Sequence, residues 1–329
     1  MKLSNGVNLT VINAEEIQGE YDTRSFFYVL TLWLVSCWSM FTNSVQLLYL
    51  KLFRYRKKYF QKIMWEMGRD SSHVSRFFFD RFSHINHRAK YGAADWRSLD
   101  LFYNYHTKVK PSVRKNLEGF LTHYWMEKME NRQAVTNRFK IVVNLLSDAF
   151  CRFEQESEIR VLSIASGSAQ AVIAAIKKNP DLNIKAVLID NDKTAIDISR
   201  QNVKEAGLED HFEFVLGTTR KIEEVCEQFH PHIIEMVGLM DYLTDTKAIR
   251  TVSRIRNCLP ENGVFLTGNI RHNREMLFLF WVLLWPMIYR TEEQLSKVMT
   301  EAGFSSEQVS LYYEPFMIHG VAMATRGVL

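Results

Sequence analysis

From residue 158 to the end, short apolar runs alternate with helical stretches, and few folds accept that order. The runs are RVLSIA at 160–165, KAVLID at 185–190, HFEFVL at 211–216, HIIEMV at 232–237 and GVFLTG at 263–268. Between them lie helical stretches at 170–178, closed by Asn179-Pro180, and at 193–206, closed by Gly207. A further helix ends at Pro260-Glu261-Asn262-Gly263, and another runs over 291–303. Runs this apolar are buried on both faces, as in a parallel sheet covered by helices. The pattern predicts an α/β domain over 158–329 with a doubly wound, mainly parallel sheet. Two last strand candidates, 309–317 and 319–325, suit an antiparallel hairpin on one edge.

The first run leads into Ser163-Ile164-Ala165-Ser166-Gly167-Ser168-Ala169 and then a helix. Small residues at alternate positions let the backbone turn sharply and approach a ligand, while the helix offers free N–H groups at its positive end. A purely structural tight turn has the same composition. The second run ends at Asp190, about 20 residues or slightly more beyond the loop, where a carboxylate can accept both hydroxyls of a ribose. The loop lacks the GxGxxG glycines that admit a pyrophosphate, which disfavours a dinucleotide-dependent oxidoreductase. An adenosine-containing cofactor fits better.

Together VLSIASGSAQ, AVLIDND and FEFVLGTT resemble motifs of the class I S-adenosylmethionine-dependent methyltransferases. The resemblance implies S-adenosylmethionine as cofactor, methyl transfer as the reaction, and cofactor contacts at Ser163, Ala165, Gly167, Ala169, Asp190 and Thr218. The chain departs from the family's pattern at both ends of these motifs. An acid is usual where this chain has Ser163, a glycine is frequent where it has Ala165, and another acid is frequent after the third strand, where it has Thr218 and Thr219. Backbone carbonyls would then hold the cofactor's ammonium and adenine amine. Further segments are similar to a bacterial methyltransferase group connected with the methyl ester of 3-hydroxypalmitic acid, a signalling lipid. They are GLMDYLTD at 238–245, LPENGVFLTGNI at 259–270, WPMIYRTEEQL at 285–295 and EAGF at 301–304. LFYNYH at 101–106 and MENRQAVTNRF at 129–139 look like a helical region preceding related domains. This likeness implies a small or lipid-like acceptor such as a fatty-acid carboxylate.

Methyl transfer asks for a nucleophile in line with the methyl and its leaving sulfur, in a dry site. A carboxylate needs only orientation, whereas a hydroxyl or amine usually needs a base. The catalytic candidates are Asp241, Tyr242, Arg290 and His106, with Glu235 and Asn269 at the same strand ends. Each has a plainer reading. Asp241 is also a natural helix cap, and Tyr242 a natural core residue. Arg271 and Arg290 either anchor an anionic group or sit in solvent. Tyr103, Tyr105 and His106 form either a lid or an aromatic core stripe.

Ahead of this domain the chain changes character. Residues 1–24 read as a polar tail without a basic-then-apolar leader. Residues 25–50 contain no charge, and Lys51, Arg54, Arg56, Lys57 and Lys58 follow. Three readings of this 25–58 segment stay open. It is a transmembrane helix with its C-terminal side in the cytoplasm, an interfacial helix resting on anionic lipid, or a helix buried in the protein. Residues 59–157 read as a helical region and lid, with Phe77, Phe78, Phe79 and Phe82 mostly core.

With 47% hydrophobic and 24% charged residues, the 329-residue chain can build a core without metal or disulfide staples. A net charge of +4 implies no nucleic-acid partner. The four cysteines are far apart and read as reduced packing residues; neither they nor the ten histidines have metal-ligand spacing. The expected location is cytoplasmic, or the cytoplasmic face of a membrane. A rival of another class is a non-catalytic, membrane-attached scaffold that kept the cofactor fold. The oligomeric state stays open.

Overall fold

The computed structural model describes residues 1–22, 26–54 and 73–327. The chain divides into two compact units: Met1–Gly19 with Asn137–His272 and Ile288–Leu329, and Glu20–Thr136 with Asn273–Met287. The division between Thr136 and Asn137 falls inside one long helix. Arg56, Lys57 and Lys58 of the basic cluster lie outside the described residues.

In chain order the helices are α1 (Phe26–Tyr49), α2 (His84–Tyr91), α3 (Trp96–Tyr103), α4 (Leu117–Met126), α5 (Glu130–Cys151) and α6 (Gln170–Lys178). They continue with α7 (Lys193–Ala206), α8 (Ile222–Phe229), α9 (Asp245–Cys258), α10 (Met276–Trp281) and α11 (Glu292–Glu301). The strands are β1 (Asn8–Val11), β2 (Ile159–Ile164), β3 (Ile184–Asp190), β4 (Phe212–Leu216), β5 (Ile233–Val237), β6 (Val264–Ile270), β7 (Val309–Tyr313) and β8 (His319–Thr325).

The first unit is an α/β fold on one sheet of order β1-β7-β8-β6-β5-β2-β3-β4. All neighbours are parallel except β8, which runs antiparallel to both β6 and β7. The central strands are apolar on successive positions because helices cover both faces. Leu162, Ile164, Val187 and Ile189 join one core cluster, while Val161, Ala186, Leu188 and Ile233 join the other. From β2 the chain lays β3 and β4 on one side, then returns to lay β5 and β6 on the other. The strand order therefore reverses between β2 and β5.

The polar-tail reading of residues 1–24 is corrected here. Asn8–Val11 forms the edge strand beside β7, so the β7–β8 hairpin is not the edge. Leu3, Val7, Leu9 and Ile17 are buried, and these scattered apolar side chains outweigh the segment's polar average.

The helical unit has an aromatic centre. Trp125 stacks on Phe278 at 5.0 Å, and Phe79 meets both edge-on. Of the phenylalanine run read as core, Phe79 is buried, but Phe77 and Phe82 are exposed. The buried carboxylate of Glu275 accepts the Glu130 and Asn131 N–H groups at 2.9 and 2.7 Å, an anion placed at the N-terminus of α5.

Candidate active site

In a doubly wound sheet a ligand enters at the C-terminal strand ends where the order reverses, here the crevice between β2 and β5. On the β2 side Ala165, Gly167 and Ala169 are all left-handed, with φ of 55°, 56° and 57°. For each alanine that conformation costs roughly 1–2 kcal/mol, so surrounding bonds must hold it. Ser199 Oγ donates to the Gly167 carbonyl at 2.7 Å, and Asn202 Nδ2 to the Ser168 carbonyl at 2.9 Å.

Asp190 ties the loop to β3. Its Oδ2 accepts the Gly167 N–H and its Oδ1 the Asp192 N–H, both at 2.9 Å. Burial raises this carboxyl above its usual range, and the backbone N–H groups oppose the rise. Each oxygen can accept a further bond. The buried Oγ of Ser166 has no hydrogen-bond partner among the described residues. Across the crevice Gly238, at φ 104°, has no described atom within 4 Å of where a Cβ would stand. A backbone-lined turn, a carboxylate with spare acceptors, an unpartnered hydroxyl and open space opposite fit a nucleoside-bearing cofactor.

Ser163, where the family's pattern carries an acid, donates from Oγ to Glu235 Oε2 at 2.6 Å. The two residues are in register on β2 and β5. Glu235 Oε1 accepts the Val237 N–H at 2.8 Å. The carboxylate absent from position 163 thus stands on the neighbouring strand. Burial pushes its pKa up, against the pull of Ser163, Val237 and Arg138.

A second buried cluster lies at the ends of β5 and β6. Asp241 Oδ1 accepts the Ile270 N–H at 2.7 Å, and its Oδ2 lies 3.9 Å from Arg138 Nη1. Burial pushes the Asp241 carboxyl up to about 6, with Arg138 opposing. The same Arg138 nitrogen sits 3.2 Å from His319 Nδ1. Guanidinium only donates, so Nδ1 accepts and the ring proton is on Nε2. Burial, then Arg138, hold His319 well below the usual histidine range and keep it neutral. The buried Tyr289 hydroxyl has no hydrogen-bond partner among the described residues, and burial followed by the charge of Asp241 raises its pKa. Sequence reasoning weighed neither Arg138 nor His319. The available signal was a charged residue on the apolar stripe of Ile141, Val142 and Leu145, all buried.

Arg290 is buried, and its guanidinium makes five hydrogen bonds to four protein acceptors. Nε and Nη2 bond Asp245 Oδ1 at 2.9 and 2.8 Å, Nη1 the Met240 carbonyl at 3.0 Å, and Nη2 the Leu243 carbonyl at 2.5 Å. The fourth acceptor is Asn269 Oδ1, bonded by Nη1. Tyr242 is 38% exposed beside Asp241. Thr218 is exposed and caps the turn after β4 by accepting the Arg220 N–H. His106 belongs to the helical unit, where its Nε2 lies 2.8 Å from Glu20 Oε2. Asp241 and Arg290 therefore meet around one loop, and His106 lies in a different unit.

Comparison with known proteins agrees with this geometry. A family model described as "Putative methyltransferase" matches residues 60–326. A Bordetella parapertussis protein described as a possible exported protein shares the fold, with TM-score 0.60, 13% identity, and coverage of 82% of this chain and 97% of that one. Human N-acetylserotonin methyltransferase in complex with SAM is 13% identical over 82% of this chain and 70% of that one, with TM-score 0.44. An O-methyltransferase family protein from Burkholderia thailandensis is 12% identical over 82% of each chain, with TM-score 0.46. No curated protein matches the sequence. The family match displaces both the oxidoreductase and the scaffold readings. Matched over most of its length, and with a small-residue loop and Asp190 at the switch point of its sheet, the chain belongs to this methyltransferase family and is an S-adenosylmethionine-dependent enzyme.

Proposed function

We propose that the acceptor is the carboxylate of a lipid-like acid of the 3-hydroxypalmitate kind, and that the product is its methyl ester. The observation that carries this reading is the buried cluster in which Arg138 faces both His319 and Asp241. A guanidinium orients a carboxylate through paired N–H donors, and a carboxylate nucleophile needs no base. Arg138 holds the acceptor's charge, the Tyr289 hydroxyl donates to its oxygens, and Asp241 balances Arg138.

On the cofactor side Asp190 holds the ribose, the left-handed loop lies against the nucleoside, and Glu235 with Ser163 faces the amino-acid end. Bound S-adenosylmethionine supplies a methyl group activated on sulfur. A carboxylate acceptor would take that methyl group without having to lose a proton. The protein's part is to orient the oxygen and exclude water. We further read the enzyme as working on the cytoplasmic side of a membrane, where the cofactor is made.

The test is incubation of the purified enzyme with methyl-labelled S-adenosylmethionine and a panel of 3-hydroxy and unsubstituted fatty acids. Label released as methanol by mild base marks an ester. Label that resists base would mark an ether or an amine and overturn the carboxylate assignment.

A further inference from the structure

The helix α1 is built inside out. Its buried positions are Tyr28, Leu32, Ser36, Ser39, Asn43 and Leu47, one stripe at helical spacing whose middle three members are polar. The outward face is apolar: Phe26 is 75% exposed, Phe27 77%, Trp33 58%, Phe41 71% and Leu48 61%. A surface helix of a water-soluble protein carries the opposite arrangement, and an apolar face this long marks an interaction surface. The stripe is tied inward towards both of its ends. Tyr28 OH donates to Glu275 Oε1 at 3.3 Å, Asn43 Nδ2 donates to the Trp281 carbonyl at 2.7 Å, and Leu47 packs with Leu284.

We propose that the outward face of α1 docks the enzyme in the plane of an anionic lipid bilayer. The helix is long and apolar enough to cross a membrane, since the stretch Phe26–Phe53 has 28 residues. Its inward bonds decide against crossing. They run from Tyr28 to Leu47, at 1.5 Å per residue about 28 Å, nearly the full hydrocarbon thickness. A crossing helix would draw Glu275, and the Glu130–Arg274 ion pair beside it, into hydrocarbon, where such groups are strongly disfavoured. Lying flat, the same helix immerses its outward face and leaves those groups in the protein.

Charge identifies lipid as the occupant. No charge interrupts residues 25–50, exposed Lys51 follows, and the sequence continues through Arg54, Arg56, Lys57 and Lys58 with no acid before residue 66. Anionic headgroups complement such an end, and tryptophan and tyrosine favour the interface they form. A second copy of this chain would bring the same uncharged face and the same basic end, with no acid to meet it. This inference rests on the geometry of α1 and stands whether or not the acceptor is a lipid.

Flotation of the full-length protein with vesicles tests it. Binding is expected to vesicles containing phosphatidylglycerol and to be at least tenfold weaker to phosphatidylcholine alone. High salt should release part of the protein and alkaline carbonate all of it. Trp33 and Trp38 fluorescence should be quenched most by lipids brominated near the headgroup. A Phe27→Ser, Trp33→Ser, Phe41→Ser variant should keep S-adenosylmethionine binding and lose vesicle binding at least tenfold. Carbonate resistance with quenching deepest at the bilayer centre would establish a crossing helix and overturn the proposal. A soluble dimer that ignores vesicles would assign the face to a second copy and overturn it equally.

Discussion

Ser163 and Glu235 stand side by side on adjacent parallel strands, the serine hydroxyl donating to the glutamate at 2.6 Å. If this pair does the work of the acid usual at position 163, Glu235→Gln weakens S-adenosylmethionine binding by about 1.5–3 kcal/mol, the range for a hydrogen bond to a charged group. Ser163→Asp alone sets a second carboxylate against a buried one and lowers the melting temperature. The double variant Ser163→Asp, Glu235→Ser recovers both. Calorimetry and thermal melts decide, and unchanged affinity in Glu235→Gln would confine the pair to structure.

Asp190, proposed above to hold the ribose, also accepts the Gly167 and Asp192 N–H groups. Asp190→Ala is expected to reduce cofactor affinity by about 1.5–3 kcal/mol and to lower stability by about 1 kcal/mol through the lost loop bonds. Asp190→Asn keeps an acceptor and should separate the two effects. Gly167→Val forces a β-branched residue to φ 56° and should abolish binding while the circular dichroism spectrum survives. Retained binding there would make the loop a turn and nothing more.

For Arg290, solvent exposure or an anionic head was the sequence expectation. With every N–H group bonded to protein, Arg290→Gln should instead destabilise by about 2–4 kcal/mol, since it strands the buried Met240 carbonyl and Asn269 Oδ1. Cofactor affinity and KM should worsen together. A rise in KM alone, with an unchanged melt, would restore the anchoring role.

Burial and Arg138 hold His319 neutral in the fold, while the unfolded chain protonates near the ordinary value of 6.5. Below that pH the unfolded state binds a proton that the folded state does not, so acid lowers stability by up to about 1.4 kcal/mol per pH unit. Asp241, pushed up to about 6, acts in the opposite sense between its unfolded and folded pKa values. The difference between wild type and His319→Gln cancels that contribution. Wild type should lose stability relative to the variant as pH falls from 7 to 5, measured by denaturant melts. A constant difference would mean that His319 takes up a proton in the folded state.

How much of this was legible from residues alone follows from the range of the forces involved. The apolar runs of β2 to β6, the turn at 165–169 and the acid at the end of β3 are set within a few neighbours. Strand burial, loop size and chain stiffness act locally, so the α/β class and the position of Asp190 could be read directly. The edge strand Asn8–Val11 could not, because its partner is β7, some three hundred residues onward.

The same holds for the chemistry. Sequence alone determined that a small-residue loop would follow the first of these strands and a carboxylate would end the second, and that an uncharged stretch ends in basic residues. Only the tertiary structure decided which carboxylate answers Ser163, that Arg138 meets His319 and Asp241, that Arg290 is saturated, and which face of α1 turns outward. Those outcomes depend on hydrogen bonds between residues far apart in the chain, whose desolvation is favourable only when both partners arrive together.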